Sequence, residues 1–165
     1  MAVAAKRILG IDPGSHHLGV GCLEVTGQRV RLLFCEIIHA PKKGSLYERL
    51  HIIEKRFSEV LAELNPDEVA VEDIFFAKNV RSAIYLGTAR GMAIGACLRH
   101  GLAINEYGAT QVKSVVTGYG RSDKAQVQKM VEMILGTKIG LGFDATDALA
   151  IALCHVNHRG RRVPV

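Results

Sequence analysis

The stretch Arg7–Gly21, RILGIDPGSHHLGVG, decides how this chain folds. Arg7 to Ile11 is a short apolar run with the character of a buried strand, and it delivers one carboxylate, Asp12, into a Pro-Gly turn that reverses the chain. Leu18, Val20 and Cys22 then alternate with Gly19 and Gly21, so the chain returns as a neighbouring antiparallel strand. Its glycines suit a close approach to the backbone. An acid at such a strand end either bonds the amides of its own turn or belongs to a site. The second reading requires further carboxylates to converge on it.

Working outward, Val20–Val25 and Gln28–His39 read as two strands joined by a tight turn at Thr26-Gly27, completing an antiparallel meander. Ser45 and Glu48 form a capping-box pair. Leu46, Leu50, Ile53, Phe57, Val60, Leu61 and Leu64 follow at helical spacing until Asn65-Pro66 ends the helix. Glu68–Phe75, EVAVEDIF, is a β-branched fourth strand, expected to lie parallel in the sheet because it follows a crossover helix. Alternation puts Ala70, Glu72 and Ile74 on one face and Val71 and Asp73 on the other, so only one of the two acids faces Asp12.

Ala83–Leu98 is helical and carries Ala83, Gly87, Gly91 and Gly95 at intervals of four. Each helical glycine costs about 1 kcal/mol relative to alanine, so the stripe implies a closely packed neighbour. That neighbour is either the sheet or the same stripe of a second copy across a two-fold axis. Leu102–Tyr107 reads as a fifth strand and Thr110–Val116 as a short helix, with a glycine-rich basic loop, GYGRSD, after it. Val127, Met130, Val131, Ile134 and Leu135 mark an amphipathic helix stopped by Gly136, and Asp144–His158 is a last helix. The expected architecture is α/β: a five-stranded mixed sheet, three antiparallel strands then two parallel, flanked by helices on both faces.

A chain of 165 residues fits a single domain, expected over 1–158, followed by a basic tail at 159–165 that is expected to be disordered. Lysine and arginine number 21 against 16 acids, and the net charge of +5 suits a polyanionic partner. No run approaches the roughly 18 apolar residues of a membrane span, and the N-terminus lacks the apolar core of a signal peptide, which points to the cytosol. Cys22, Cys35, Cys97 and Cys154 lie far apart without a CxxC and read as reduced thiols. Cys154, His155 and His158 have metal-ligand spacing, but nothing nearby supplies a fourth ligand.

Three residues apart, Asp144 and Asp147 project from the same face of the last helix. Capping of the helix start would explain both. The apolar stripe Leu149, Ala152, Leu153, Val156 nevertheless packs this helix on the sheet and holds its N-terminal acids near the core. Carboxylates crowded together repel one another unless a divalent cation neutralises them. All-oxygen donors select a hard ion such as Mg²⁺ or Mn²⁺, and two such ions roughly 4 Å apart suit phosphodiester hydrolysis.

Four segments, LGIDPGSHHLGVG, VAVEDIFFAKNVRSAIYLGTARG, NEYGATQVKSVVTGYGRSDKAQVQKMV and FDATDALAIALCH, taken in order, resemble the RuvC-type Holliday junction resolvases of bacteria, which have the RNase H-like fold. The resemblance covers nearly the whole chain. It implies that Asp12, Glu72, Asp144 and Asp147 are the metal-binding catalytic acids, with some members carrying His at the position of Asp144. It further implies Mg²⁺, with Mn²⁺ as a substitute and two ions per site. The implied assembly is a cytoplasmic homodimer that nicks four-way junction DNA symmetrically during recombination and repair, working with a RuvAB-type branch-migration helicase complex.

Phe75 matches the family's junction-contacting ring, although Phe75 and Phe76 also suit a core; Lys78 and Arg81 follow as basic neighbours. Lys113 and Lys124 match lysines near the scissile phosphate. Lys124 also falls in the first turn of a helix, where a cation opposes the macrodipole and a phosphate would satisfy both. Three rival readings are weighed against this one. A sugar-kinase-like ATPase needs two large lobes, which this length does not supply; a related RNase H-like nuclease on another substrate and a non-catalytic junction-binding module share the fold.

Overall fold

The computed structural model of the protein describes residues 4–73 and 79–159. Strand β1 (Lys6–Pro13) pairs antiparallel with β2 (His17–Thr26), and β2 with β3 (Arg29–His39). Helix α1 (Leu46–Leu64) then crosses over to β4 (Glu68–Glu72), which runs parallel to β1 on its free edge. After α2 (Val80–Arg99), strand β5 (Ile104–Tyr107) pairs parallel with β4, and α3 (Ala109–Thr117), α4 (Lys124–Leu135) and α5 (Phe143–Arg159) complete the described chain. The sheet order is β3-β2-β1-β4-β5, the mixed arrangement expected from the sequence.

Two-residue alternation divides the core between the two faces of this sheet. Leu9 and Ile11 of β1, with Val69 and Val71 of β4, pack against Ile53, Phe57 and Leu61 of α1 and Ala93, Ala96 and Cys97 of α2. Ile8 and Ala70 point the other way, into Val112, Val127, Val131, Leu149, Ala152 and Leu153 of α3, α4 and α5. Asp12 and Glu72 continue the second register, so β1 and β4 aim both acids at the α5 face.

The sequence marks several boundaries through local chemistry. Ser45 caps α1 reciprocally with Glu48, its hydroxyl accepting from the Glu48 amide (3.2 Å) while the Glu48 carboxylate accepts from the Ser45 amide (2.6 Å). Asn65 ends that helix in the left-handed region at φ 42°. Other boundaries move. Helix α2 starts at Val80, three residues before Ala83, because the Asn79 side chain accepts from the amides of Arg81 and Ser82. Strand β4 stops at Glu72, short of Phe75: the β1–β4 ladder ends at Ile11↔Val71, and β5, the only remaining partner, ends at Tyr107. Phe75 and Lys78 lie outside the described residues. Arg159, expected to open the tail, closes α5 and pairs with Glu68 at 2.9 Å.

The glycines of β1 and β2 have a concrete purpose. A Cβ on Gly10 would lie 1.9 Å from the Ala148 carbonyl oxygen, one on Gly19 would lie 2.2 Å from that of Asp144, and one on Gly21 would lie 2.6 Å from Leu149 Cδ2. Helix α5 therefore rests on bare strand backbone. By contrast Gly87 and Gly91 have no atom within 4 Å of such a Cβ, so these two glycines of the α2 stripe pack on nothing among the described residues. Sheet packing, one of the two readings of that stripe, is excluded for these two glycines. The four cysteines are unpaired. No helix among the described residues is long and apolar enough to cross a membrane.

Gly10→Ala should lower stability by about 1–3 kcal/mol or more, because the added methyl meets helix backbone that cannot rotate away. Urea unfolding checks this; a midpoint equal to that of the parent chain would contradict the close approach.

Candidate active site

Three of the four sequence-identified acids meet tightly. One carboxylate oxygen from each of Asp12, Asp144 and Asp147 lies within 4.8 Å of the others. Asp12 is the last residue but one of β1, opposite Gly19, and the Asp144 carbonyl sits directly over Gly19, so the glycine contact itself sets the distance between strand acid and helix acids. Asp147 follows one turn later on the same helix face. Glu72 stands beside the trio across a cleft of about 220 Å³ lined by Asp12, Glu72, Lys113, Lys124 and Asp147 over Val112, Val127 and Ile151.

The electrostatics of this cleft are those of crowded anions. Burial, reinforced by Asp147, Glu72 and Asp144, pushes the Asp12 carboxyl up to about 7, with Lys124 pulling the other way. Glu72 is raised too, by burial first and then by Asp147, with Lys113 and Lys124 opposing. Lys124 Nζ donates to Asp147 Oδ2 at 2.9 Å, and this bond raises the lysine. The first-turn cation expected to oppose the α4 macrodipole thus finds a carboxylate partner across the cleft.

The donor set fits a hard cation. Oxygen ligands lie about 2.0–2.6 Å from Mg²⁺ or Ca²⁺, so two oxygens on one ion are separated by at most about 5 Å. The 4.8 Å spread of the trio is within that limit. Asp12, Asp144 and Asp147 are therefore able to hold an ion together, with Glu72 across the cleft.

Other singled-out residues fall elsewhere. Arg81, in the first turn of α2, stacks over the Tyr85 ring (5.5 Å) and is not among the described residues lining the cleft. The Cys154, His155, His158 group does not converge: His155 bonds the Tyr107 hydroxyl and Glu68 (2.7 Å each), while His158 Nδ1 meets the Cys154 carbonyl oxygen (2.7 Å). Their nitrogens already have structural partners.

Two features escaped the sequence reading. The acids open on a second side, into a pocket of about 250 Å³ formed by Asp12, Ser15, His16, His17 and Asp144. Arg49, buried at 8% exposure, donates to the carbonyls of Ser15 (3.2 Å) and Gly44 (2.9 Å) and so fastens the Asp12 turn to the start of α1. No local signal pairs residues 34 positions apart. The adjacent histidines after the turn are visible in the sequence, but only the folded chain shows that they share a pocket with Asp12.

A five-stranded mixed sheet of this order, with acids from β1, β4 and the start of α5 around one cleft, defines a nuclease domain of the RNase H-like class. The family profile of the crossover junction endodeoxyribonuclease RuvC matches residues 8–155. The RuvC of Trichlorobacter lovleyi is 47% identical over 151 residues, covering 92% of this chain and 85% of the relative. That of Geobacter metallireducens is 46% identical over 156 residues, covering 94% and 95%. The Thermus thermophilus RuvC structure in complex with Holliday junction substrate superposes with a TM-score of 0.86 at 37% identity, covering 93% of this chain and 94% of that one. The chain belongs to the RuvC family.

The Asp12 shift fixes the sign of a pH effect on the metal-free protein. An unfolded Asp loses its proton near pH 4, whereas Asp12 in the folded chain keeps it to about 7. Its contribution to stability is complete below about pH 4 and declines as pH rises to about 7. Urea unfolding in EDTA at pH 4.5, 6 and 7.5 should show this loss in the parent chain and a shallower one in Asp12→Asn; identical pH slopes would contradict the crowding.

Proposed function

We propose that this chain is an endodeoxyribonuclease that resolves four-way (Holliday) DNA junctions by symmetric, metal-dependent phosphodiester hydrolysis during recombination and repair. The observation that carries this reading is the meeting of Asp12, Asp144 and Asp147, faced by Glu72, Lys113 and Lys124, in a chain of the RuvC family. Asp12, Glu72, Asp144 and Asp147 would hold Mg²⁺, or Mn²⁺ in its place, as two ions. When bound, the metal lowers the pKa of the attacking water and offsets charge on the leaving 3′ oxygen.

The chain's own residues do the rest. The half-buried acids would orient the ions; Lys113 and Lys124 receive the scissile phosphate and offset its charge. Lys124 sits on the first residue of α4, where the helix amides add to its attraction for an anion. Phe75 stacks on an unpaired base next to the cut, and Lys78 and Arg81 contact the flanking backbone.

Two copies act together. Val80, Ile84 and Leu98 are 78%, 59% and 57% exposed on α2 and run in line with Ala83, Gly87, Gly91 and Gly95. This open strip of small and apolar residues is the contact between subunits, and its two-fold axis matches that of the junction. The protein works in the bacterial cytoplasm with a RuvAB-type branch-migration helicase complex.

Cleavage of a mobile four-way junction against linear duplex in Mg²⁺, Ca²⁺ and EDTA tests the activity. Cutting of the junction alone, and only with a supporting metal, is expected; equal cutting of linear duplex would overturn it. Asp12→Asn and Glu72→Gln should bind the junction and not cut it, and Lys124→Gln should cut about 10²-fold more slowly. Sedimentation should find the parent chain dimeric and Gly91→Glu monomeric with unchanged circular dichroism; a dimer persisting in Gly91→Glu would place the subunit contact elsewhere.

A further inference from the structure

We infer that Arg90 is a positioning residue for Glu72, setting the end of β4 from the face of the sheet opposite the acids and tying it to α2. The inference rests on the proposed role of Glu72 in the metal site. Strand β4 is bordered by β1, whose ladder gives out before Glu72, and by β5, whose Tyr107 still pairs with it. The β1–β4 ladder ends one residue earlier, at Ile11↔Val71, and on the other side the last bond runs from the Asp73 amide to the Tyr107 carbonyl oxygen (2.8 Å). Glu72 is thus the last residue of its strand, and the direction of its carboxylate follows its backbone.

That backbone is gripped from behind. Arg90 extends from α2 with only 15% of its side chain exposed, donating through Nε to the Glu72 carbonyl (3.4 Å) and through Nη2 to the Glu106 carboxylate. Glu106 shares its strand face with Ile104, which packs in the α1–α2 core. One guanidinium thus joins α2 to the ends of β4 and β5 at once. A planar fork of fixed donors holds two acceptors in a set relation; a lysine, as a single flexible point charge, does not. Arg90 neighbours Gly91 of the open α2 strip, so a shift of that helix is passed to Glu72 through this side chain.

A pair serving stability alone and a positioning residue differ in one respect: only the second alters how the folded protein binds metal. The experiment uses the full chain without DNA, titrated with Mn²⁺ by calorimetry, alongside amide hydrogen exchange at Asp73 and thermal unfolding, for the parent chain, Arg90→Gln, Arg90→Lys, Glu106→Gln and Glu72→Gln. Arg90→Gln should bind Mn²⁺ about 10- to 100-fold more weakly while folded, as expected when the support behind a metal-site group is removed, and Asp73 should exchange faster. Arg90→Lys and Glu106→Gln should fall between it and the parent, which keeps the test open if Arg90→Gln fails to fold. Parental Mn²⁺ affinity in folded Arg90 variants, with Glu72→Gln weakened, overturns the inference alone. Parental affinity in Glu72→Gln overturns the reading of Glu72 itself and the inference with it.

Discussion

The structure depends on the contact between helix α5 and the bare backbone of strands β1 and β2. Gly10, Gly19 and Gly21 remove the side chains that would hold a helix off the sheet, and α5 settles until the carbonyls of Ala148 and Asp144 lie against the strands. Had these positions carried even alanine, the helix would stand further off and the Asp12 carboxylate would lose Asp144 and Asp147 as immediate neighbours. Glycine in a strand costs conformational entropy and packs no side chain. Here that cost supports the geometry of the acids, and the surrounding aliphatic core of Ile8, Leu23, Leu149 and Leu153 offsets it.

Bringing the acids so close sets the electrostatic state of the metal-free protein. Asp12 escapes repulsion by keeping its proton toward neutral pH, and Lys124 supplies a positive charge to Asp147. Neither device neutralises the whole cleft, since Lys113 and Lys124 face four carboxylates. A site arranged in this way favours cations by the same physics that makes it costly without them. The lysines lie on α3 and α4, elements separate from those carrying the acids.

Much of this was legible because it is local. The strand-turn-strand around Asp12, the capping box at Ser45 and Glu48, and the glycines suited to close approach are all written in spacings of a few residues. Asp144 and Asp147 were legible as a pair on one helix face. Choosing between capping and convergence needed the family resemblance first and the fold afterwards. What the sequence hid joins distant segments: Arg49 to the Asp12 turn, Arg90 to Glu72 and Glu106, and His155 to Tyr107 and Glu68. The α2 stripe shows the limit most clearly. Its spacing announced a close partner, but only coordinates reveal that the described residues leave Gly87 and Gly91 uncovered.

The four acids are not equivalent in how they are held. Asp12, Asp144 and Asp147 are fixed by one contact, β1–β2 against α5, in which backbone meets backbone and little adjustment is possible. Glu72 has lost the ladder to β1 and keeps only its pairing with Tyr107 of β5, so its place depends also on what bonds the end of β4 from the far side of the sheet. A sheet is one peptide layer thick, and a group bonded to a strand carbonyl on one face moves the side chain on the other. The α2 side of the sheet, with its open strip of small residues, is therefore mechanically continuous with the acidic side. On the inferred role of Arg90, Glu72 is the carboxylate through which a shift of α2 reaches the cleft.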